Sequence, residues 1–288
     1  MHEIIEKKEL APGTHWMVVK APLIAQKRRA GQFVIVMADK QSERIPLTIV
    51  DSDPAQETIT LVFQAVGKST MKLAELKAGD GVEEIAGPLG QPTHIEKFGR
   101  CIVVGGGYGT APVVPIAKAL ADAGNEVIAI NGARTASAVI LVDELKAFCS
   151  RVEICTDDGT LGFHGMVTAV LQQLIDEYGK VDFVLAIGPG PMMRAVAELT
   201  RPLGIKTMVS LNPIMIDGTG MCGGCRVDVG GERKFACVDG PEFDGHLVNF
   251  NMLMARQKVF RDSEGEAKAQ YEHACKLREE PAEAGGAR

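Results

Sequence analysis

The first part of the chain consists of short runs, alternating in polarity or briefly apolar, set between turn residues: THWMVVKA (14–21), GQFVIVMA (31–38), RIPLTIVD (44–51), TITLVFQAV (58–66) and DGVEEIAGPLG (80–90). A period of two puts successive side chains on opposite faces of a strand. Short strands repeated in this way read as an antiparallel β-barrel over residues 1–97. From Cys101 the texture changes, and apolar strands (CIVVGGG, EVIAINGAR, VEICTDD, DFVLAIG, KTMVSL) alternate with helical patterns (APVVPIAKALADAG, VDELKAF, GMVTAVLQQLIDEYG, MMRAVAELTRPLG). This predicts an α/β domain over 98–211, with a parallel sheet and crossover helices. Residues 212–248 are dominated by Gly, Cys and Asp and are expected to form a cofactor-binding segment. The remainder, 249–288, divides into a helical stretch to about Lys276 and a tail, REEPAEAGGAR, whose composition predicts disorder.

Composition narrows the function classes. The 288 residues suit two ordinary domains and a small appendage, and 46% hydrophobic with 24% charged residues is globular. No apolar run is long enough to cross a bilayer, and the N-terminal MHEIIEKKEL has no apolar leader core, so a cytoplasmic location is expected. A net charge of -6 leaves no basic face for nucleic acid. The seven cysteines of a chain in a reducing compartment are not read as disulfides. Cys101, Cys149 and Cys155 lie in apolar patterns as small buried hydrophobes, and Cys275 stands alone near the tail, whereas Cys222, Cys225 and Cys237 gather in the Gly-rich segment.

Asp217, Cys222, Cys225 and Cys237 have the spacing D-x4-C-x2-C-x11-C. This matches plant-type [2Fe-2S] ligation except for the oxygen donor in first place. Glycines at 218, 220, 223 and 224 allow a tight wrap with amides pointed at an anion. A zinc ribbon using the three thiolates with Asp217 or His246 is the alternative, although zinc favours paired C-x2-C knuckles and one is present. Gly105, Gly107, Gly109 and Thr110 follow the strand CIVV and open a helix, as a pyrophosphate-binding turn does, or a plain βα turn. Asn131 stands where an acidic ribose contact would end the second strand, and Arg134 offers a phosphate or adenine contact or a solvated loop cation. In the barrel, Arg44 and Thr48 are suited to grip a diphosphate, and Gly67, Ser69 and Thr70 open a helix with donors for a second phosphate; an ordinary strand end and helix cap is the other reading.

Taken together, GQFV, GPLG, GGGYGTAP, GARTAS, TDDGTLG, GPGPMM and SLNPIMIDGTGMCGGC cover nearly the whole chain. With them the sequence resembles the ferredoxin reductase-like electron-transfer subunits. That family includes the dihydroorotate dehydrogenase electron-transfer subunit and the alpha-subunit type of NADH-dependent reduced ferredoxin:NADP oxidoreductase, which this chain resembles more closely. The resemblance implies a barrel plus α/β fold, FAD between barrel and nucleotide domain, NAD(H) at the Gly-rich loop, and a [2Fe-2S] cluster facing a larger flavin and iron-sulfur partner subunit in a heterodimer. Ferredoxin would be reached through that partner. By position, Arg44, Pro46, Leu47 and Thr48 would hold the flavin and its diphosphate, completed by Phe63, Gly67, Ser69 and Thr70. Gly105, Gly107, Gly109, Thr110 and Arg134 would meet the nicotinamide nucleotide, with Gly188, Pro189 and Met192 forming a late turn near the nicotinamide. Leu47 departs from the aromatic residue, and Ile187 from the cysteine, that many reductases place there, while Asp217 replaces the first cysteine of the dihydroorotate type.

The implied activity is NAD(P)H-dependent electron transfer, in which bound cofactors carry the chemistry and no side chain is singled out as acid or nucleophile. Arg134 is the sole cation in NGARTASAV, so NAD(H) is expected over NADP(H). Two alternatives stand beside the ferredoxin:NADP oxidoreductase type: an electron-transfer subunit for a dihydroorotate dehydrogenase-like enzyme, and a zinc-stabilised nucleotide-binding module.

Overall fold

A computed structural model describes residues 1–279, so most of the expected tail lies outside the described residues. Strands β1 (His2–Ala11), β2 (Thr14–Lys20), β3 (Phe33–Met37), β4 (Ile45–Asp53), β5 (Thr58–Gln64), β6 (Gly81–Val82) and β7 (Glu84–Leu89) pair antiparallel in the order β6-β1-β2-β5-β4-β3-β7. Only Glu83 separates β6 from β7, yet they stand at opposite ends of this order, so the sheet curls almost to closure. Met17, Val34, Ile49, Leu61 and Phe63 fill its interior. Helix α1 (Pro22–Lys27) follows β2, and α2 (Lys68–Glu75) follows β5.

The second sheet runs β11-β10-β9-β8-β12-β13-β16. Its members are β8 (Arg100–Gly106), β9 (Glu126–Ala133), β10 (Arg151–Thr156), β11 (Phe163–His164), β12 (Phe183–Ile187), β13 (Lys206–Ser210) and β16 (Glu242–Asp244). Helices α3 (Thr110–Asp122), α4 (Val142–Lys146), α5 (Val167–Tyr178) and α6 (Gly190–Thr200) are the crossovers. All pairs are parallel except β13 with β16. Cys101, Ile102, Val103 and Val104 of central β8 are wholly buried, because both faces of a parallel sheet are covered by helices.

The Gly- and Cys-rich segment is more than the expected loop. It carries a hairpin of β14 (Arg226–Val229) and β15 (Glu232–Phe235), and its β16 closes the edge of the nucleotide sheet. The expected helical stretch is two helices, α7 (Phe250–Gln257) and α8 (Arg261–Glu279), with a turn between them. One apolar core joins Phe33 and Ile35 of the barrel, Ile102 and Val184 of the sheet, and Cys225 and Cys237. The three parts therefore pack as a continuous body.

Candidate functional site

Strand order reverses between β8 and β12, and in open α/β sheets the crevice beyond the strand ends at such a reversal is where ligands enter. The sequence puts its two candidate nucleotide turns there, one after each strand. They touch: a Cβ on Gly109 would stand 2.6 Å from the Ile187 carbonyl oxygen, and one on Gly106 would stand 2.4 Å from Met192 Sδ. Gly107 has φ +59 and open space where a Cβ would be, leaving the outer side of the turn accessible. Gly188 and Met192 thus belong to the wall of this crevice, with Pro189 entering α6. Asn131 does not end its strand. It is 1% exposed, accepts from Thr110 Oγ1 (3.0 Å) and donates to the Ile140 carbonyl (2.8 Å), so Asn131 and Thr110 lock β9 to the start of α3 and neither side chain is free for a ribose. Arg134 is exposed, and its carbonyl accepts from the Asp158 amide at 3.2 Å, which seats its loop beside the Asp157-Asp158 turn.

In the barrel, Arg44 Nη2 donates to both carboxylate oxygens of Glu84, at 2.8 and 2.6 Å. Leu47 is 8% exposed and Phe63 1%, both packed in the barrel core, because the curl of the sheet turns these positions inward. The outward contacts of β4 fall to Pro46 and Thr48 instead, both partly exposed. Thr70 is a cap: its Oγ1 accepts from the amides of Val66 and Gly67, at 3.1 Å each, and donates to the Gly67 carbonyl. Ser69 is buried, so the donors left to a phosphate at Gly67–Thr70 are backbone amides of the first turn of α2.

The cluster loop arranges its donors in two pairs. Cys225 and Cys237 are buried with sulfurs 3.1 Å apart, and burial next to Cys225 pushes the Cys237 thiol up to about 12. Asp217 accepts from the amides of Thr219 (2.9 Å) and Cys222 (2.7 Å) and from the Cys222 thiol, which together hold its carboxyl below the usual range. Cys222 is exposed, and its sulfur accepts from the Gly224 amide at 3.4 Å. Among the described residues no three such donors converge on a single point. His246 drops out of the zinc set, because its Nε2 lies 3.0 Å from Thr200 Oγ1 at the far edge of the sheet.

Around the loop stand residues that the sequence reading passed over. Arg226 Nη1 and Arg256 Nη2 donate to the carbonyls of Gly223 and Gly224, each at 3.0 Å, and Arg256 Nε is buried with no acceptor among the described residues. An orphaned guanidinium donor beside the candidate ligand Cys225 fits an anionic group. Arg226 adjoins Cys225, which was a signal in the sequence; Arg256, on a later helix, gave none. Gly218, at φ +76, would drive a Cβ to within 2.5 Å of Leu89 and 2.9 Å of Ile35, so the loop lies against the barrel wall. Nearby, Thr93 Oγ1 donates to Glu242 Oε1 at 2.5 Å, and burial raises the Glu242 carboxyl to about 7.

Residues 212–249 match the family described as the iron-sulfur cluster binding domain of dihydroorotate dehydrogenase B. A dihydroorotate dehydrogenase B (NAD(+)) electron transfer subunit homolog from Thermotoga maritima is 43% identical, over 96% of this chain and 96% of its own. A solved structure of the NADH-dependent reduced ferredoxin-NADP oxidoreductase, a protein described in connection with flavin-based electron bifurcation, superposes with a TM-score of 0.89 at 41% identity, over 94% of this chain and 98% of that one. A ferredoxin NADP+ reductase from Neisseria gonorrhoeae, at 16% identity and a TM-score of 0.54, shares the fold alone.

Proposed function

Since this chain belongs to the ferredoxin reductase-like electron-transfer subunits, the family of the dihydroorotate dehydrogenase B subunits, we propose that it carries electrons between NAD(H), FAD, a [2Fe-2S] cluster and a larger partner subunit. FAD, when bound, converts between the electron pair of a hydride and single electrons, and the cluster accepts those singly. The chain supplies position. Gly105–Gly109 at the start of α3 and Gly188–Met192 at the start of α6 would line the nucleotide crevice; Arg44, Pro46, Thr48 and the amides at Gly67–Thr70 would hold the flavin; Asp217, Cys222, Cys225 and Cys237 would hold the cluster.

The observation that carries this reading is the contact of Gly218 with Ile35 and Leu89, which puts the cluster loop directly against the barrel. Electron transfer falls steeply with distance, so a relay needs such a junction. Exposed Ile216, Met221 and Val238 surround the loop and support a partner docking there. The ferredoxin:NADP oxidoreductase type is preferred over the dihydroorotate type by Asp217, an oxygen donor where the latter has a cysteine. No helix among the described residues is long and apolar enough to cross a membrane.

The test is analytical. Purified protein is expected to contain FAD, iron and acid-labile sulfide, while Cys222→Ser, Cys225→Ser and Cys237→Ser each lose most iron and sulfide but keep FAD. Zinc without labile sulfide in the unaltered protein would overturn the reading.

A further inference from the structure

Arg226 leads β14 away from the cluster loop, and Arg256 reaches back to it from α7, beyond the residues 212–249 that match the cluster-binding family. Asn249 caps α7 by accepting from the Met252 amide at 3.0 Å, and buried Phe250 and Leu253 anchor it, so Arg256 is delivered by a fixed element. The two guanidiniums hold adjacent carbonyls, Gly223 and Gly224, and feel each other's charge. Neither makes an ion pair with a carboxylate among the described residues; the Cys225 sulfur lies close enough to Arg256 to act on it. Binding a carbonyl requires only a neutral amide or hydroxyl donor. Two like charges at one turn, one with a buried unsatisfied N–H, are costly unless an anion stands between them.

We infer that Arg226 and Arg256 are positioning residues that supply the counter-charge of the cluster, offsetting the electron it takes up. The inference rests on the proposed [2Fe-2S] reading of the loop. Two ferric ions, two sulfides, three thiolates and a carboxylate carry a formal charge of about -2, and one electron from a reductant makes it about -3 with no bond made or broken. Cations within a few ångströms favour the more negative state.

The experiment is an anaerobic potentiometric titration of the full-length protein with dithionite and mediator dyes, reading the cluster signal by electron paramagnetic resonance. Arg256→Gln keeps a donor for Gly224 but removes the charge, whereas Arg256→Lys keeps the charge but loses the fork. Arg256→Gln is expected to make the one-electron reduction roughly tenfold less favourable, a shift of about 59 mV to more negative potential, with Arg256→Lys close to the unaltered protein. Arg226→Gln should shift in the same direction. An unchanged potential in both Gln variants, or equal shifts in Arg256→Gln and Arg256→Lys, would reject the assignment. If Arg256→Gln fails to retain iron, retention by Arg256→Lys supports the charge role and loss by both rejects it. Absence of labile sulfide from the unaltered protein would instead reject the underlying cluster reading.

Discussion

The guanidinium of Arg44 is occupied by Glu84 in a two-point contact, so any diphosphate it grips must displace a carboxylate. Both side chains are more than a third exposed, and such pairs contribute only about 0–1 kcal/mol. Arg44→Ala is therefore expected to weaken FAD binding by about 1.5–3 kcal/mol, while Glu84→Ala strengthens it by up to about 1 kcal/mol; flavin fluorescence on dilution measures both, and equal affinities in all three proteins would place the diphosphate elsewhere. Glu242 gives a pH signature. Its folded carboxyl titrates at about 7, above the ordinary 4.5, because burial opposes its charge. The folded state thus holds a proton that the unfolded chain releases; the stability this gives is full below pH 4.5, declines as pH rises towards 7, and is gone above it. Glu242→Gln should flatten that decline, by at most about 3 kcal/mol, in denaturant titrations across the range; an unaltered slope would contradict it. The cluster segment was legible in the sequence, because the spacing of its cysteines is the pattern by which residues 212–249 match the iron-sulfur family. Glu242 was not, because its hydrogen-bond partner Thr93 is far away in the chain.

Between β8 and α3 on one side and β12 and α6 on the other, the two turns meet with no room for a side chain at Gly109. Gly109→Ala should force them apart, weakening NADH binding roughly tenfold (about 1.4 kcal/mol) while FAD is retained; isothermal titration reads the first and the flavin spectrum the second. The turn after β9 also bears on cofactor choice. Thr135 and Ser137 are bound to each other at 2.9 Å, and the Asp157-Asp158 turn adjoins Arg134, so a 2′-phosphate would meet carboxylates as well as one cation. Stopped-flow reduction of the flavin is therefore expected to be faster with NADH than with NADPH at equal concentration, and the reverse order would overturn this. At this scale the strands and crossover helices were readable from their periods. The inward turn of Leu47 and Phe63 was not, since alternation tells two faces apart without saying which one a curling sheet encloses.

Across the whole molecule, the C-terminal helix α8 folds back on α2, where Tyr271 donates its hydroxyl to Glu75 and Cys275 lies 3.4 Å from the same carboxylate. Ending the chain after Phe260 would remove that clasp. A loss of about 1–2 kcal/mol, or roughly 3–8 °C in Tm, is expected in a thermal melt of the holoprotein, with faster FAD release because the first turn of α2 carries the amides proposed to hold a flavin phosphate. Equal melting of both lengths would show α8 to be idle. Helicity near the end of the chain was legible, but its docking depends on a surface assembled some two hundred residues earlier. A different long-range pairing governs how the protein is made: β13 is covered only when β16 arrives, after the hairpin and the Asp217–Cys237 stretch have been synthesised. Until then a nascent chain presents an open parallel-sheet edge, the kind of surface that recruits stray strands. The same late step seats Glu242 against Thr93 and closes the carbonyl contacts of Gln91 with Val238 and Gly240, so biogenesis is ordered: the proposed cluster segment staples barrel and nucleotide sheet together only after both have been made.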